Sequence, residues 1–197
     1  MKATKILLMI FVALFGAVAF VGCSFWNGYD KAMLLDEGVD SAWAQVENQM
    51  QRRFELLPNL VATVKGIAAQ EKDIFLGIAK SREAYFSAKS VGAKVKAAGS
   101  FESALSRLLV LKETYPELKS NQSFLRLQDS LEGTENRLSV ERKRYNDSVR
   151  TLNTFSRKLF GRLCASLAGV EKAEYFEVSE EAKTAPKVSF TGDATGG

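Results

Sequence analysis

Apolar positions recur at helical spacing along most of this chain. From Trp43 they fall at Val46, Met50, Phe54, Leu57, Val61 and Val64, in steps of three and four that keep them on one stripe. Ser41, Gln45, Asn48, Arg52, Glu55 and Asn59 lie on roughly the opposite side of the same predicted helix, and all are polar. Beyond Pro58 the pattern continues through Val64, Ile67, Glu71, Ile74, Ile78 and Tyr85 and ends near Ser90-Val91-Gly92. Pro58 leaves two outcomes open. Inside a helix it removes one hydrogen bond and clashes with the preceding turn, at about 3 kcal/mol. The chain either keeps one kinked helix or reverses around Leu57-Pro58-Asn59 into two antiparallel ones.

A third helix is predicted from Ser100, as N-cap, to Thr114, with Phe101, Leu105, Leu108 and Leu111 inward. Tyr115-Pro116 ends it, because the residue before proline is pushed out of helical geometry. A fourth starts near Gln122. Its stripe runs Phe124, Leu127, Leu131, Leu138, Tyr145, Val149, Leu152 and Phe155, interrupted at Thr134 and Arg142. A short helix is predicted around Lys158 to Leu167, stopped by Gly169. From Ser179 the composition turns to Ser, Glu, Ala, Lys, Thr, Pro and Gly, so 179–197 is expected to be a flexible tail.

The N-terminus breaks this periodicity. Lys2 and Lys5 precede an unbroken apolar run from Ile6 to Val21, followed by Gly22, Cys23 and Ser24. A charged start, a short apolar stretch and a small residue describe an export signal. Ala19-Phe20-Val21-Gly22-Cys23 resembles a lipobox, which makes Cys23 a candidate for lipidation after cleavage. The alternative is a signal anchor: counting on through Phe25 and Trp26 makes a span of the roughly 20 residues a bilayer needs, with Trp26 and Tyr29 at the interface. Either way residues 1–23 tether a helical domain over 24–178. The lysines before the run and Asp30, Asp36, Glu37 and Asp40 after it place that domain on the extracytoplasmic side of a bacterial membrane. Ser24 argues mildly against retention in an inner membrane.

Composition narrows the chemistry. The 197 residues hold no histidine, which removes the commonest general base and metal ligand. No metal-ligand spacing, glycine-rich phosphate loop or nucleophile elbow is present, so no cofactor and no metal site is expected. The formal net charge of +4 falls to +2 once Lys2 and Lys5 are set aside with the first 23 residues, the wrong balance for a nucleic-acid binder. The basic cluster Arg142-Lys143-Arg144, with Arg137 and Arg150, reads as a solvated helix face. Of the two cysteines, Cys164 sits on an apolar stripe and is expected to be a buried, inert thiol.

Several segments together resemble the LemA family. They are Asp36-Glu37-Gly38-Val39, Trp43-Ala44-Gln45-Val46-Glu47-Asn48, Gln51-Arg52-Arg53, Leu56-Leu57-Pro58-Asn59-Leu60-Val61, Thr63-Val64-Lys65-Gly66, Glu71 and Arg82. Tyr145-Asn146, Glu174-Tyr175-Phe176 and Pro186-Lys187-Val188-Ser189-Phe190 extend the likeness over roughly Trp26 to Phe190. The resemblance implies a bacterial, N-terminally membrane-anchored, all-α protein of the antiparallel four-helix-bundle kind, without an established molecular function. It points to Pro58 as the joint between two helices. Where the family pattern has Phe-Pro after the fourth helix this chain has Phe155-Ser156, so that helix is free to run on toward Leu167.

Two functions follow as expectations. The first is a non-enzymatic interaction or scaffold module, docking a protein partner or a second copy through Gln45, Asn48, Arg52, Glu55 and Asn59. The second is a carboxylate-based hydrolase drawing on Glu47, Glu55 and Glu71 in a cleft. A concave pocket with two convergent carboxylates would favour the enzyme, and an exposed row the docking face.

Overall fold

The computed structural model describes residues 2–177, with the side chains of residues 2–10, 13, 17, 18, 20 and 21 outside the described set. The expected tail over 179–197 lies outside the described residues, as does most of the apolar run from Ile6 to Val21 at the level of side chains. All regular structure among the described residues is helical: α1 Lys2–Lys65, α2 Lys72–Ser87, α3 Val91–Thr114, α4 Pro116–Ser120, α5 Gln122–Arg157 and α6 Leu159–Leu167. The all-α class is as the periodicity predicts. Among the described residues no helix is long and apolar enough to cross a membrane.

Pro58 does not separate two helices. It is an exposed residue inside the unbroken α1, which corrects the joint that the resemblance implies. The roughly 3 kcal/mol it costs is offset by its neighbours Phe54, Leu57 and Leu60, all at most 3% exposed, each contributing about 1.5–3 kcal/mol by burial. The break comes eight residues later. There Ile67 and Ala68 both donate to the Val64 carbonyl, at 3.0 and 2.7 Å, and the ladder closes on itself. Tyr115 secures this turn: its hydroxyl donates to Glu71 at 2.8 Å and accepts from Gln70 Nε2 at 2.6 Å.

The third helix also starts earlier than Ser100. Ser90, in extended conformation, accepts the Ala93 amide on its hydroxyl at 3.2 Å and caps α3. Ser100 lies inside the helix and bonds back to the Lys96 carbonyl. Burial of Ala97 and Ala98 holds the added turns; a stripe traced through large apolar residues passes over alanines. Tyr115-Pro116 ends α3 as expected, Pro116 opening α4 at a position where its missing N–H costs nothing.

The chain divides into two compact units. Among the described residues the first takes in 2–57 and 129–175, and the second 58–128 and 176–177. Within the first unit α1 and α5 run antiparallel. Trp43 meets Tyr145 edge-on at 5.2 Å, Lys31 lies over the Phe155 ring at 5.9 Å, and Arg53 pairs with Glu135. Val46, Met50, Phe54, Leu131, Leu138, Val149 and Leu152 fill its core. Phe155-Ser156 does not carry α5 onward: the chain turns at Lys158 into α6. Gly161 sits there because a Cβ would come 2.1 Å from the Phe155 carbonyl oxygen. The short helix ends at Gly169, whose φ of +70° suits glycine. Val170 N–H then bonds the Ala165 carbonyl and Gly169 N–H that of Ser166, the paired bonds of a glycine-terminated helix.

Within the second unit α2 and α3 are antiparallel neighbours joined by three residues. Lys94 lies over Tyr85 at 6.0 Å, and Ala104 is next to Gly77. Phe75, Ile78, Tyr85, Phe101, Leu105, Leu108, Leu111, Leu118 and Phe124 are buried.

Candidate functional site

The helix that begins at Lys2 presents two faces between Trp43 and Leu57. Trp43, Val46, Met50, Phe54 and Leu57 are buried, as their spacing predicts. Gln45, Asn48, Arg52 and Glu55 are all exposed and span about 15 Å at 1.5 Å per residue. Glu55 accepts from Gln51 Nε2 at 3.2 Å. Among the described residues the side chains of Gln45, Asn48 and Arg52 make no hydrogen bond or ion pair. Asn59, the fifth predicted position, is also exposed and falls in the second unit.

The neighbouring arginine behaves differently. Arg53 is 3% exposed and pairs with Glu135, which also receives Arg142 Nη1 at 3.4 Å. Two guanidinium groups converge on one carboxylate, whose negative charge offsets part of the penalty that burial places on them and leaves the cluster with one net positive charge. Arg142 is therefore half-buried and tied to Glu135, not part of a solvated basic face. The expectation of a solvated face describes Lys143, Arg144 and Arg150, which are exposed; Arg144 pairs with Glu141 and Arg150 with Asp147. Spacing alone did not distinguish Arg52 from Arg53, or Arg142 from Arg144. The interruption of an apolar stripe by a polar residue was the available signal, and Arg142 carried it.

Two residues that the stripe hides join α5 to the segment after α6. Tyr145 is buried and donates to the Glu174 carbonyl at 2.7 Å. Burial first, then the negative charges of Glu174 and Asp40, push its hydroxyl up to about 12. Asn153 clamps Ala173 from both sides, its amide donating to the carbonyl at 2.9 Å and its oxygen accepting the N–H at 3.1 Å. Asn153 was not singled out from the sequence. Asp36 is held above the usual carboxylate range by partial burial and by Asp40 and Glu37 beside it.

Among the described residues, neither of two hollows gathers the candidate carboxylates. One hollow of about 340 Å³ is lined by Ser156, Arg162 and Glu171 with small apolar neighbours. Another of about 260 Å³ lies between Leu34, Leu35, Asp147 and Thr151. Each holds one carboxylate, and Glu47, Glu55 and Glu71 line neither. Glu71 instead accepts from Tyr115. Among the described residues no group of histidine, cysteine or acidic side chains has the geometry of a metal site. Cys23 is exposed on α1, and Cys164 is buried, as expected for an inert thiol.

The model of the LemA family matches residues 42–190. The chain belongs to the LemA family. Its match takes in the row Gln45 to Glu55, the Arg53–Glu135–Arg142 cluster and Tyr145 with Glu174. This LemA-family chain is also similar to two magnetosome proteins. Magnetosome protein MamQ of Magnetospirillum gryphiswaldense is 26% identical over 195 residues, covering 86% of this chain and 71% of its own length. Magnetosome protein MamQ 1 of Paramagnetospirillum magneticum is 25% identical over the same shares.

Proposed function

We propose that this LemA-family chain is a membrane-anchored bacterial envelope protein and a non-enzymatic interaction module. It docks a protein partner, or a second copy of itself, through Gln45, Asn48, Arg52 and Glu55. The observation that carries this is the contrast between adjacent arginines. Arg53 is consumed by the fold, whereas Arg52, with Gln45 and Asn48, is exposed and makes no bond among the described residues. A planar guanidinium fork is suited to a carboxylate on a partner. Asn59, exposed further along α1, adds a donor and an acceptor to the same helix.

The tether is the N-terminal segment, either a span through Trp26 or a lipid on Cys23, with the helical domain on the extracytoplasmic side. The apolar run from Ile6 to Val21 and the charges flanking it support this. The antiparallel four-helix bundle is supported by four helices of 16 residues or more, α1, α2, α3 and α5.

A photo-crosslinking residue at position 45 tests the docking row in intact cells. Asn48→Ala with Arg52→Ala should leave folding stability within about 0.5 kcal/mol, as for exposed substitutions generally. It should also abolish the crosslinked species, whether hetero-complex or dimer. Undiminished crosslinks in the stable double variant would remove this row as the docking surface.

A further inference from the structure

We propose that α6 is a second membrane contact, lying among the headgroups of an anionic phospholipid bilayer beside the point where α1 leaves it. This rests on the N-terminal segment being the tether. The carrying observation is the outer face of α6. Leu159 is 85% exposed, Leu167 70%, Leu163 51% and Phe160 40%. At about 100° per residue these four share an arc of about 100°. Gly161, Cys164 and Ala165, on the other side, are the buried ones. A nine-residue helix is thus apolar on the face it turns inward and apolar again on much of the face it leaves open. A soluble surface rarely keeps so concentrated a patch uncovered.

The position of α6 says what covers it. Phe160 packs on Phe25 at 5.1 Å between ring centres. A Cβ on Gly28 would lie 2.4 Å from Cys164 Sγ and 2.7 Å from Phe160, so only glycine lets α6 sit this close to α1. Phe25 and Gly28 follow shortly after the apolar run that ends at Val21. Next to them Trp26 is 73% exposed, a residue type that favours the membrane–water boundary. Within the run, the described side chains of Phe11, Val12, Leu14 and Phe15 are exposed on successive sides of α1, as in a helix that is apolar all round. The open arc of α6 is therefore held against the part of the chain that meets lipid. It stays there whether α1 spans the bilayer or Cys23 carries the lipid.

Charge selects the bilayer. Arg157, Lys158 and Arg162 are exposed on or beside α6, and no acidic residue occurs from Thr151 to Val170. A basic flank beside an apolar arc is the combination that holds a helix in the plane of an anionic surface.

The full chain, reconstituted in mixed phosphatidylcholine–phosphatidylglycerol vesicles, provides the test. Leu163→Trp and Leu167→Trp, each with Trp26→Phe, place a reporter on the arc, with Trp43 as a buried constant background. Each reporter should lose most of its emission when the lipids carry bromine near the headgroup end of their acyl chains. Lys158→Glu with Arg162→Glu should restore it. Flotation of the vesicles reports the tether separately. Protein that floats with both reporters unquenched overturns the α6 contact and leaves the tether standing; a shielded but unquenched reporter means that a second copy or residues 178–197 cover the arc. Protein that does not float overturns both. Quenching that survives the double charge reversal undiminished overturns the choice of an anionic bilayer.

Discussion

In the first unit the polar side chains that fix the helices work from buried positions, and in the second they work near the surface. Arg53, Tyr145 and Asn153 are each at most 5% exposed, and they reach Glu135, the Glu174 carbonyl and both polar groups of Ala173. In the second unit Gln70, Glu71 and Tyr115 meet at the rim of the turn before α2. Of its buried polar side chains, Ser81 is satisfied within its own helix by the Ile78 carbonyl, and Tyr85 lies under the Lys94 ammonium of the next helix. The difference follows from element length. Two long helices with a repeating apolar stripe can slide by a turn and still bury similar groups. A buried ion pair or a two-sided amide clamp penalises every register but one, because a slipped register leaves charge or backbone unpaired. Short helices joined by a three-residue loop have less freedom to slide, so apolar packing and a cap are enough.

The largest expected effect breaks the first unit directly. Trp43→Ala removes the ring that meets Tyr145 and should cost about 3–5 kcal/mol, read as a lower midpoint in urea. A loss below 1 kcal/mol would mean that the α1–α5 contact is not the core of that unit.

The next sharpens the register argument. Arg53→Met leaves Glu135 with the more distant Arg142 alone. It should cost about 1–3 kcal/mol, the penalty for stranding part of a buried polar pair. Arg53→Met with Glu135→Leu and Arg142→Met, which removes all three charges of the cluster together, should recover much of that stability while loosening the specificity of pairing, visible as broadened amide resonances along α1 and α5. A triple variant as unstable as the single one would show that the cluster adds stability and not only register.

The smallest effect compares two tyrosines. Tyr145→Phe should cost about 0.5–1.5 kcal/mol at neutral pH through loss of its bond to Glu174. Tyr115→Phe, at the rim of the other unit, should lower the melting temperature by less. Both hydroxyls are held above the ordinary tyrosine value, Tyr115 first by its bond to Glu71 and Tyr145 first by burial. The Tyr145 hydroxyl titrates near 12 in the folded chain against an ordinary value of 10.0. The folded state therefore favours its neutral form, and that contribution is whole below pH 10 and is lost as pH rises through 12. The advantage of the wild type over Tyr145→Phe should shrink across that window. A constant gap would place Tyr145 in contact with solvent.

By itself the sequence determined the helical class, the inward stripes of α1, α3 and α5, the stop at Tyr115-Pro116, the end of α6 at Gly169 and the family. These follow from spacing and from residues whose backbone preferences act locally. It also placed Gln45, Asn48, Arg52 and Glu55 together on one side of α1, and all four are exposed. Tertiary structure alone decided that α1 passes through Pro58, because the burial of Phe54, Leu57 and Leu60 outweighs a local penalty. It alone moved the start of α3 to Val91, where two buried alanines outweigh the absence of large apolar residues. Only the fold separated Arg53 from Arg52, since a neighbour 82 positions away supplies the charge that makes burial tolerable. Local preferences are worth a few tenths to about one kcal/mol per residue, and about 3 kcal/mol for a proline inside a helix; at Pro58, at Val91 and at Arg53 long-range burial and pairing exceed them.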